Sequence, residues 1–296
     1  MRAAAMLLLA GLAAAPLAAQ AGPKVFISAD LEGVVGVVTG DQLSPTGFEY
    51  GRYREFMTRE VLAAIRGARA AGAGEIVVAD AHGNGENLLI EQFPAGVTIV
   101  RSWPRPLGMM QGIDSSFAAV LFIGYHAGTT NPRGVRAHTF SSATLADVQL
   151  NGRSVPEGGM NAAIAGHFGV PVALVTGDDA AVDEVRAVTG PIEAAVVKWT
   201  TGFHSARTVT PDSSYQLIEA AAARAVRRVR EFRPTVMAGP VTLDVRFKNY
   251  RPAEVLAYLP NVERTDAHSV RFVGRDILEV ARFMQFLTNY APNLEP

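Results

Sequence analysis

Cysteine is absent from the 296 residues. Disulfides, thiolate metal sites and cysteine nucleophiles are therefore excluded, and any transition metal must be held by His, Asp and Glu. A basic excess is also missing: 27 Lys and Arg stand against 28 Asp and Glu, for a formal charge of -1. That balance argues against a nucleic-acid partner, and no acidic tail argues for disorder. Neither a Gly-rich phosphate loop nor a Gly-x-Ser-x-Gly turn occurs, which disfavours nucleotide hydrolysis and serine-hydrolase chemistry. Beyond the first residues no apolar run reaches ~18, so nothing else reads as a membrane span.

What is present begins with a leader. Arg2 is followed by an Ala/Leu run over residues 3–17, then by Ala19-Gln20-Ala21. A short apolar stretch ending in small residues reads as a secretory signal peptide over 1–21, with a retained N-terminal anchor as the alternative. The expected mature protein is exported, periplasmic or extracellular, and free of the membrane. Its hydrophobic fraction of 49% is ample for a sizeable core.

The remaining pattern predicts an α/β fold: a mostly parallel sheet with flanking helices, plus a smaller C-terminal α+β region. Residues 25–79 read strand, helix, strand, with helical periodicity over 50–72. Further buried strands are expected at 118–125, 170–176 and 194–199, with helices at 157–168 and 213–232. Asn151-Gly152 predicts a hairpin, because both residues tolerate positive φ. After Pro234 the pattern changes to alternating strands around a short helix, closed by an amphipathic helix over 277–290. The expected division is a metal-binding catalytic domain over 22–234 and the α+β region over 235–296.

Three apolar runs end in residues suited to metals. Lys24–Asp30 continues into Leu31-Glu32-Gly33, Glu75–His82 reads EIVVADAH, and Ala119–His126 reads AVLFIGYH. Ligands of open α/β sheets bind outside the strand C-termini. Asp30, Glu32, His82 and His126 therefore suggest a metal centre. Residues two apart on a strand share a side, so Asp30 with Glu32, and Asp80 with His82, are expected to face one pocket. Glu157, at the start of a helix, reads by itself as a favourable charge at the helix N-terminus. His167, His204 and His268 read as structural, and Asp178 and Asp179 as capping or orienting residues.

These blocks resemble peptidase family M55, the zinc-dependent D-aminopeptidases. Ser28-Ala29-Asp30-Leu31-Glu32-Gly33 fits its Ser-x-Asp-x-Glu-Gly signature. Asp80-Ala81-His82, Gly124-Tyr125-His126-Ala127 and Gly134-Val135-Arg136-Ala137-His138-Thr139 follow in order. So do Asn151-Gly152, Glu157-Gly158-Gly159-Met160-Asn161-Ala162 and Gly177-Asp178-Asp179. The resemblance spans residues 24–290. It implies two Zn²⁺ per subunit held by Asp30, Glu32, His82, His126 and Glu157, with Asp30 bridging, and His138 as the catalytic residue. Five ligands with one shared leave each ion an open position, as catalytic zinc requires. Because the donors are imidazoles and carboxylates, Mn²⁺, Co²⁺ and Fe²⁺ are alternatives.

The expected activity is an exported aminopeptidase acting on short peptides, including those with an N-terminal D-residue such as D-Ala. It would use a dizinc-activated water, with His138 transferring the proton in preference to attacking directly. The resemblance also implies a homo-oligomer, a decamer in the family. Two alternatives stand beside it: a dinuclear metallohydrolase of other amides or L-peptides, and a non-catalytic periplasmic substrate-binding protein.

Overall fold

A computed structural model describes residues 22–290. The leader expected over 1–21 lies outside the described residues. Among those described, no helix is long and apolar enough to cross a membrane.

The main sheet has seven strands: β1 (Val25–Ala29), β2 (Ile76–Asp80), β3 (Val97–Val100), β4 (Ala119–Tyr125), β7 (Val172–Asp178), β8 (Glu193–Gly202) and β9 (Ser205–Thr208). They lie in the order β3-β2-β1-β4-β7-β8-β9, parallel except for β9. β1, β2, β4 and β7 are buried along their whole length. That is why they read as unbroken apolar runs rather than alternating ones: a parallel strand is covered on both faces. The chain runs outward from β1 in one direction through β2 and β3, and in the other from β4. The crevice between β1 and β4 is therefore a switch point, where ligands of such sheets bind.

Helix α1 (Tyr50–Ala70) packs with α4 (Pro211–Arg227), covering β1, β4, β7 and β8. Helices α2 (Glu157–His167) and α3 (Asp179–Thr189) pack together, α2 on β4 and α3 on β7 and β8. Asp178 starts α3 by accepting the Ala181 N–H at 2.7 Å. α3 has no counterpart among the expected helices, although Ala180, Ala181, Val182 and Val185 bury one face of it. β9 was equally hidden, because none of its residues is buried.

A second, antiparallel sheet joins the hairpin β5 (Leu145–Leu150) and β6 (Arg153–Ser154) to β10 (Val241–Phe247), β11 (Val262–Arg264) and β12 (Ser269–Gly274). Its order is β11-β12-β10-β5-β6. The smaller lobe thus draws on chain well before residue 235. The Asn151-Gly152 turn has φ of 49° and 77°, as its sequence predicts. Short α5 (Tyr250–Leu256) packs on this sheet, and α6 (Ile277–Asn289) lies between it and α2. Phe272 of β12 stacks on Phe283 of α6 with centroids 4.3 Å apart. That packing sets the far end of α6 over the mouth of the β1/β4 crevice.

Candidate metal centre

Asp30 is the first residue beyond β1, and its N–H continues the ladder to Ile123 O at 2.8 Å. The chain then turns through Gly33, whose N–H reaches Gly124 O at 2.7 Å. A Cβ at Gly33 would sit 2.0 Å from Tyr125 O, and one at Gly124 (φ +71°) would sit 2.2 Å from Asp30 O. Only glycine permits the segments carrying Asp30, Glu32 and His126 to press together so closely.

Three histidines reach this crevice, each with one ring nitrogen tied to a backbone carbonyl. His82 Nε2 is 2.9 Å from Leu43 O, His126 Nδ1 is 3.0 Å from Ala127 O, and His138 Nδ1 is 2.8 Å from Arg136 O. A carbonyl only accepts, so those nitrogens carry hydrogen. The opposite nitrogens, His82 Nδ1, His126 Nε2 and His138 Nε2, are thereby turned toward the carboxylates.

Around them sit three buried carboxylates: Asp30 is 2%, Glu32 5% and Glu157 5% exposed. His82 Nδ1 lies 2.8 Å from Glu32 and 3.4 Å from Asp30 Oδ1. His126 Nε2 lies 3.3 Å from Asp30 Oδ2 and 3.4 Å from Glu157. Three groups of donor atoms result, Asp30–Glu32–His82, Asp30–His126–Glu157 and Glu32–His126–His138, and the first two share Asp30 through different oxygens. Asp80 does not join them, contrary to the pairing expected with His82. Its oxygens accept from Asn87 N–H at 2.6 Å, Leu88 N–H at 2.7 Å and the Asn87 amide at 2.7 Å. It shapes the loop behind His82 instead.

The electrostatics are those of carboxylates and imidazoles crowded together out of water. Burial alone would raise Asp30, but the adjacent His126 and His82 imidazoles hold its carboxyl below the usual range. Burial likewise opposes ionisation of Glu32 and Glu157, and the charges of His82 and His126 respectively outweigh it. Burial would depress both imidazoles, yet the charge of Glu32 lifts His82, and that of Glu157 lifts His126, well above the ordinary value. Asp30 Oδ2 and His126 Nε2 are buried without a hydrogen-bond partner. Buried polar atoms are normally satisfied, and these two orphans, both in the His126 cluster, suit a divalent ion with N and O ligands. The donor set fits zinc.

A cavity of about 350 Å³ opens above these groups. Trp103, Met109, Phe140 and the Ser141–Ala143 segment line it, and Gln285, Thr288 and Asn289 of α6 close one side. His138 is the more open imidazole, its side chain 14% exposed against 1% for His126. The two rings stack at 4.2 Å with 7° between planes. His138 Nε2 stands 3.7 Å from Glu157 and 4.0 Å from Glu32. Arg136 and Phe140 flank it with φ of 54° and 61°, a region L-residues rarely adopt. Phe140 N–H bonds Glu157 at 2.6 Å, tying the strained turn to a carboxylate of the cluster.

The other histidines stay apart. His167 ends α2 against Phe168, and His268 lies beside β12. His204, on the exposed β8–β9 turn, meets Arg136 Nη1 at 3.1 Å without lining the cavity. Asp178 accepts from Val135 N–H at 3.0 Å, steadying the chain that leads to His138.

Two buried charges escaped the sequence analysis. Lys198 of β8 and Glu60 of α1 are both fully buried beneath the turn that follows Glu32. Burial pushes the Lys198 ammonium down to about 8, with the charges of Asp178 and Glu60 opposing. Burial pushes Glu60 up to about 7, against hydrogen bonds from Ser214 and Val35. Between the ordinary carboxyl value of 4.5 and 7, the folded chain holds a proton at Glu60 that the unfolded chain has released. Stability must therefore fall as pH rises through that window, by about 1.4 kcal/mol per unit. Glu60→Gln keeps an acceptor for Val35 N–H and removes the titration. Urea midpoints of the two proteins should diverge between pH 5 and 7, the wild type losing ground; parallel curves would refute this account.

Comparison with known proteins gives one consistent result. A family model described as D-aminopeptidase, peptidase family M55, matches residues 24–286. The D-aminopeptidase of Bacillus subtilis (strain 168) is 30% identical over 269 residues, covering 90% of this chain and 97% of that protein. A solved structure, the Zn-dependent D-aminopeptidase DppA from Bacillus subtilis, described as a self-compartmentalizing protease, superimposes with a TM-score of 0.86. It is 30% identical, and the match covers 90% of this chain and 96% of that one.

Proposed function

This chain belongs to the D-aminopeptidase family M55, and from that premise we propose that it is a zinc-dependent aminopeptidase that removes N-terminal D-residues, such as D-Ala, from short peptides. The observation that carries the metal reading is Asp30, whose two oxygens are divided between two donor clusters. Asp30, Glu32 and His82 would hold one ion, and Asp30, His126 and Glu157 a second. Zinc in such a site lowers the pKa of water from 15.7 to about 7 and polarises a carbonyl.

The chain's own residues do the rest. His138 hydrogen-bonds Arg136 O through Nδ1, which leaves Nε2 as the ring atom facing the cavity. Nε2 can take up a proton released by the attacking water and deliver it to the departing amine. The carboxylates of Asp30, Glu32 and Glu157 line the same cavity, and no Lys or Arg does among the described residues. α6 and the Phe140–Ala143 turn wall the space in which the N-terminal side chain would sit.

Export and assembly belong to the same proposal. Export rests on the sequence of residues 1–21 alone. Assembly into a homo-oligomer is supported by the self-compartmentalizing description of the solved relative, while a decamer rests on the M55 resemblance alone.

Matched D- and L-aminoacyl p-nitroanilides, with and without chelator, test the activity. Cleavage of the D-Ala compound, weaker cleavage of its L counterpart, and loss of both on chelation are expected. Inactivity on every substrate would remove the peptidase assignment, and full activity in chelator would remove the metal. A preference for L-compounds would remove only the chirality.

A further inference from the structure

The turn between Glu32 and Val37 leaves β1, carries one ligand of the proposed centre, and belongs to no helix or strand. Buried backbone groups outside regular structure need partners from elsewhere, and here they have them. Val35 N–H donates to Glu60 Oε1 at 3.0 Å, and Gly36 N–H to Thr208 Oγ1 at 3.1 Å. On the acceptor side Tyr53 Oη donates to Gly36 O at 3.3 Å and Val37 N–H to Val34 O at 3.2 Å, and one further group serves three carbonyls. The Lys198 ammonium donates to the carbonyls of Glu32, Val34 (3.1 Å) and Val37 (2.8 Å). An ammonium has three donors, and all three are spent on this one turn.

Burying an ammonium carries a large desolvation cost. A strand position facing the protein interior is ordinarily filled by an apolar side chain. Lys198 is fully buried and directs its charge at carbonyls, one of which belongs to Glu32 itself. Carbonyls of three residues curled about one cation have a defined path, and the Glu32 side chain leaves from that path toward His82. Lys198 bonds no part of His126 or Glu157.

We propose that Lys198 is a positioning residue for Glu32: by gathering three carbonyls of the 32–37 turn, it aims the Glu32 carboxylate and so sets the metal affinity of the Asp30–Glu32–His82 cluster, leaving the Asp30–His126–Glu157 cluster largely alone. The proposal rests on the metal-centre reading above.

Zinc titration by calorimetry in two backgrounds tests it. In Glu157→Gln only the Glu32-side cluster is intact, and adding Lys198→Met should weaken its affinity about 10- to 100-fold, the range seen when a group that orients a ligand is removed. In His82→Ala only the Glu157-side cluster is intact, and the same addition should change affinity by less than about threefold. Cobalt loaded in place of zinc should show an altered visible spectrum in the first background alone. Lys198→Gln, which keeps two N–H donors, should show the same asymmetry in smaller size and serves if the Met variant does not fold. Equal weakening in both backgrounds, or none in the first, overturns the proposal. No zinc uptake by either background with Lys198 intact overturns the metal-centre reading beneath it.

Discussion

Replacing His138 with alanine should stop peptide cleavage and leave the zinc in place. General acid–base catalysis by a positioned side chain is worth about 10²- to 10⁴-fold, so kcat should fall by that factor with zinc content unchanged. The geometry makes this a sharp test. His138 Nε2 faces Glu157 and Glu32 from distances of 3.7 and 4.0 Å, and it forms a third possible donor group with Glu32 and His126. By position alone it is nearly a ligand. What separates it is exposure and attachment: it sits at the cavity wall on a turn strained at Arg136 and Phe140. A ligand removed takes metal with it; a proton carrier does not. Zinc measured by atomic absorption on the dialysed variant decides between the roles, and loss of metal would reassign His138 as a ligand.

Asp30→Ala should have the opposite signature, with both metals lost together and activity reduced to background. Each of its oxygens serves a different cluster, so its removal leaves Glu32–His82 on one side and His126–Glu157 on the other. Catalytic zinc ordinarily takes three protein ligands, and neither remnant supplies them. Glu157→Gln is the comparison, since it weakens one cluster and should retain about one zinc per chain. Equal zinc content in the two variants would show that Asp30 is not shared. The Asp30 carboxylate also faces the buried His82 and His126 at 3.4 and 3.3 Å, so some loss of stability should accompany the loss of metal.

Much of this candidate centre is legible in the sequence alone, for a definite reason. Strands buried on both faces read as unbroken apolar runs, and the residues that end those runs mark one edge of the sheet. Asp30, Glu32, His82 and His126 were visible in that way. Glu157 was not, because a carboxylate in the first turn of a helix has a sufficient local explanation. Only the docking of α2 beside β4 turns it into the crevice, and the M55 motif stood in for that knowledge. His138 was likewise carried by the motif, since nothing local distinguishes a loop histidine.

The misses share a cause. Lys198, in Val196-Val197-Lys198-Trp199, reads as an outward-facing strand residue, and its burial depends on a turn more than 160 residues away. Asp80 sits two residues from His82 as the strand period requires, yet three donors in its own loop claim it. The α6 side of the cavity was legible only as a buried stripe. That Gln285, Thr288 and Asn289 look across at the metal cluster follows from the packing of the smaller lobe, which no local pattern encodes.

The carbonyl anchors of the three imidazoles have one more consequence. Because Leu43, Ala127 and Arg136 each hold a ring N–H, none of these rings must flip or change tautomer when an ion arrives. The rotational entropy of ordering them was lost on folding, not on loading. Metal capture is then a matter of stripping water from the ion and displacing protons from His82 and His126. The rate at which the apoprotein arms itself should follow the pH of its surroundings more closely than the flexibility of its chain.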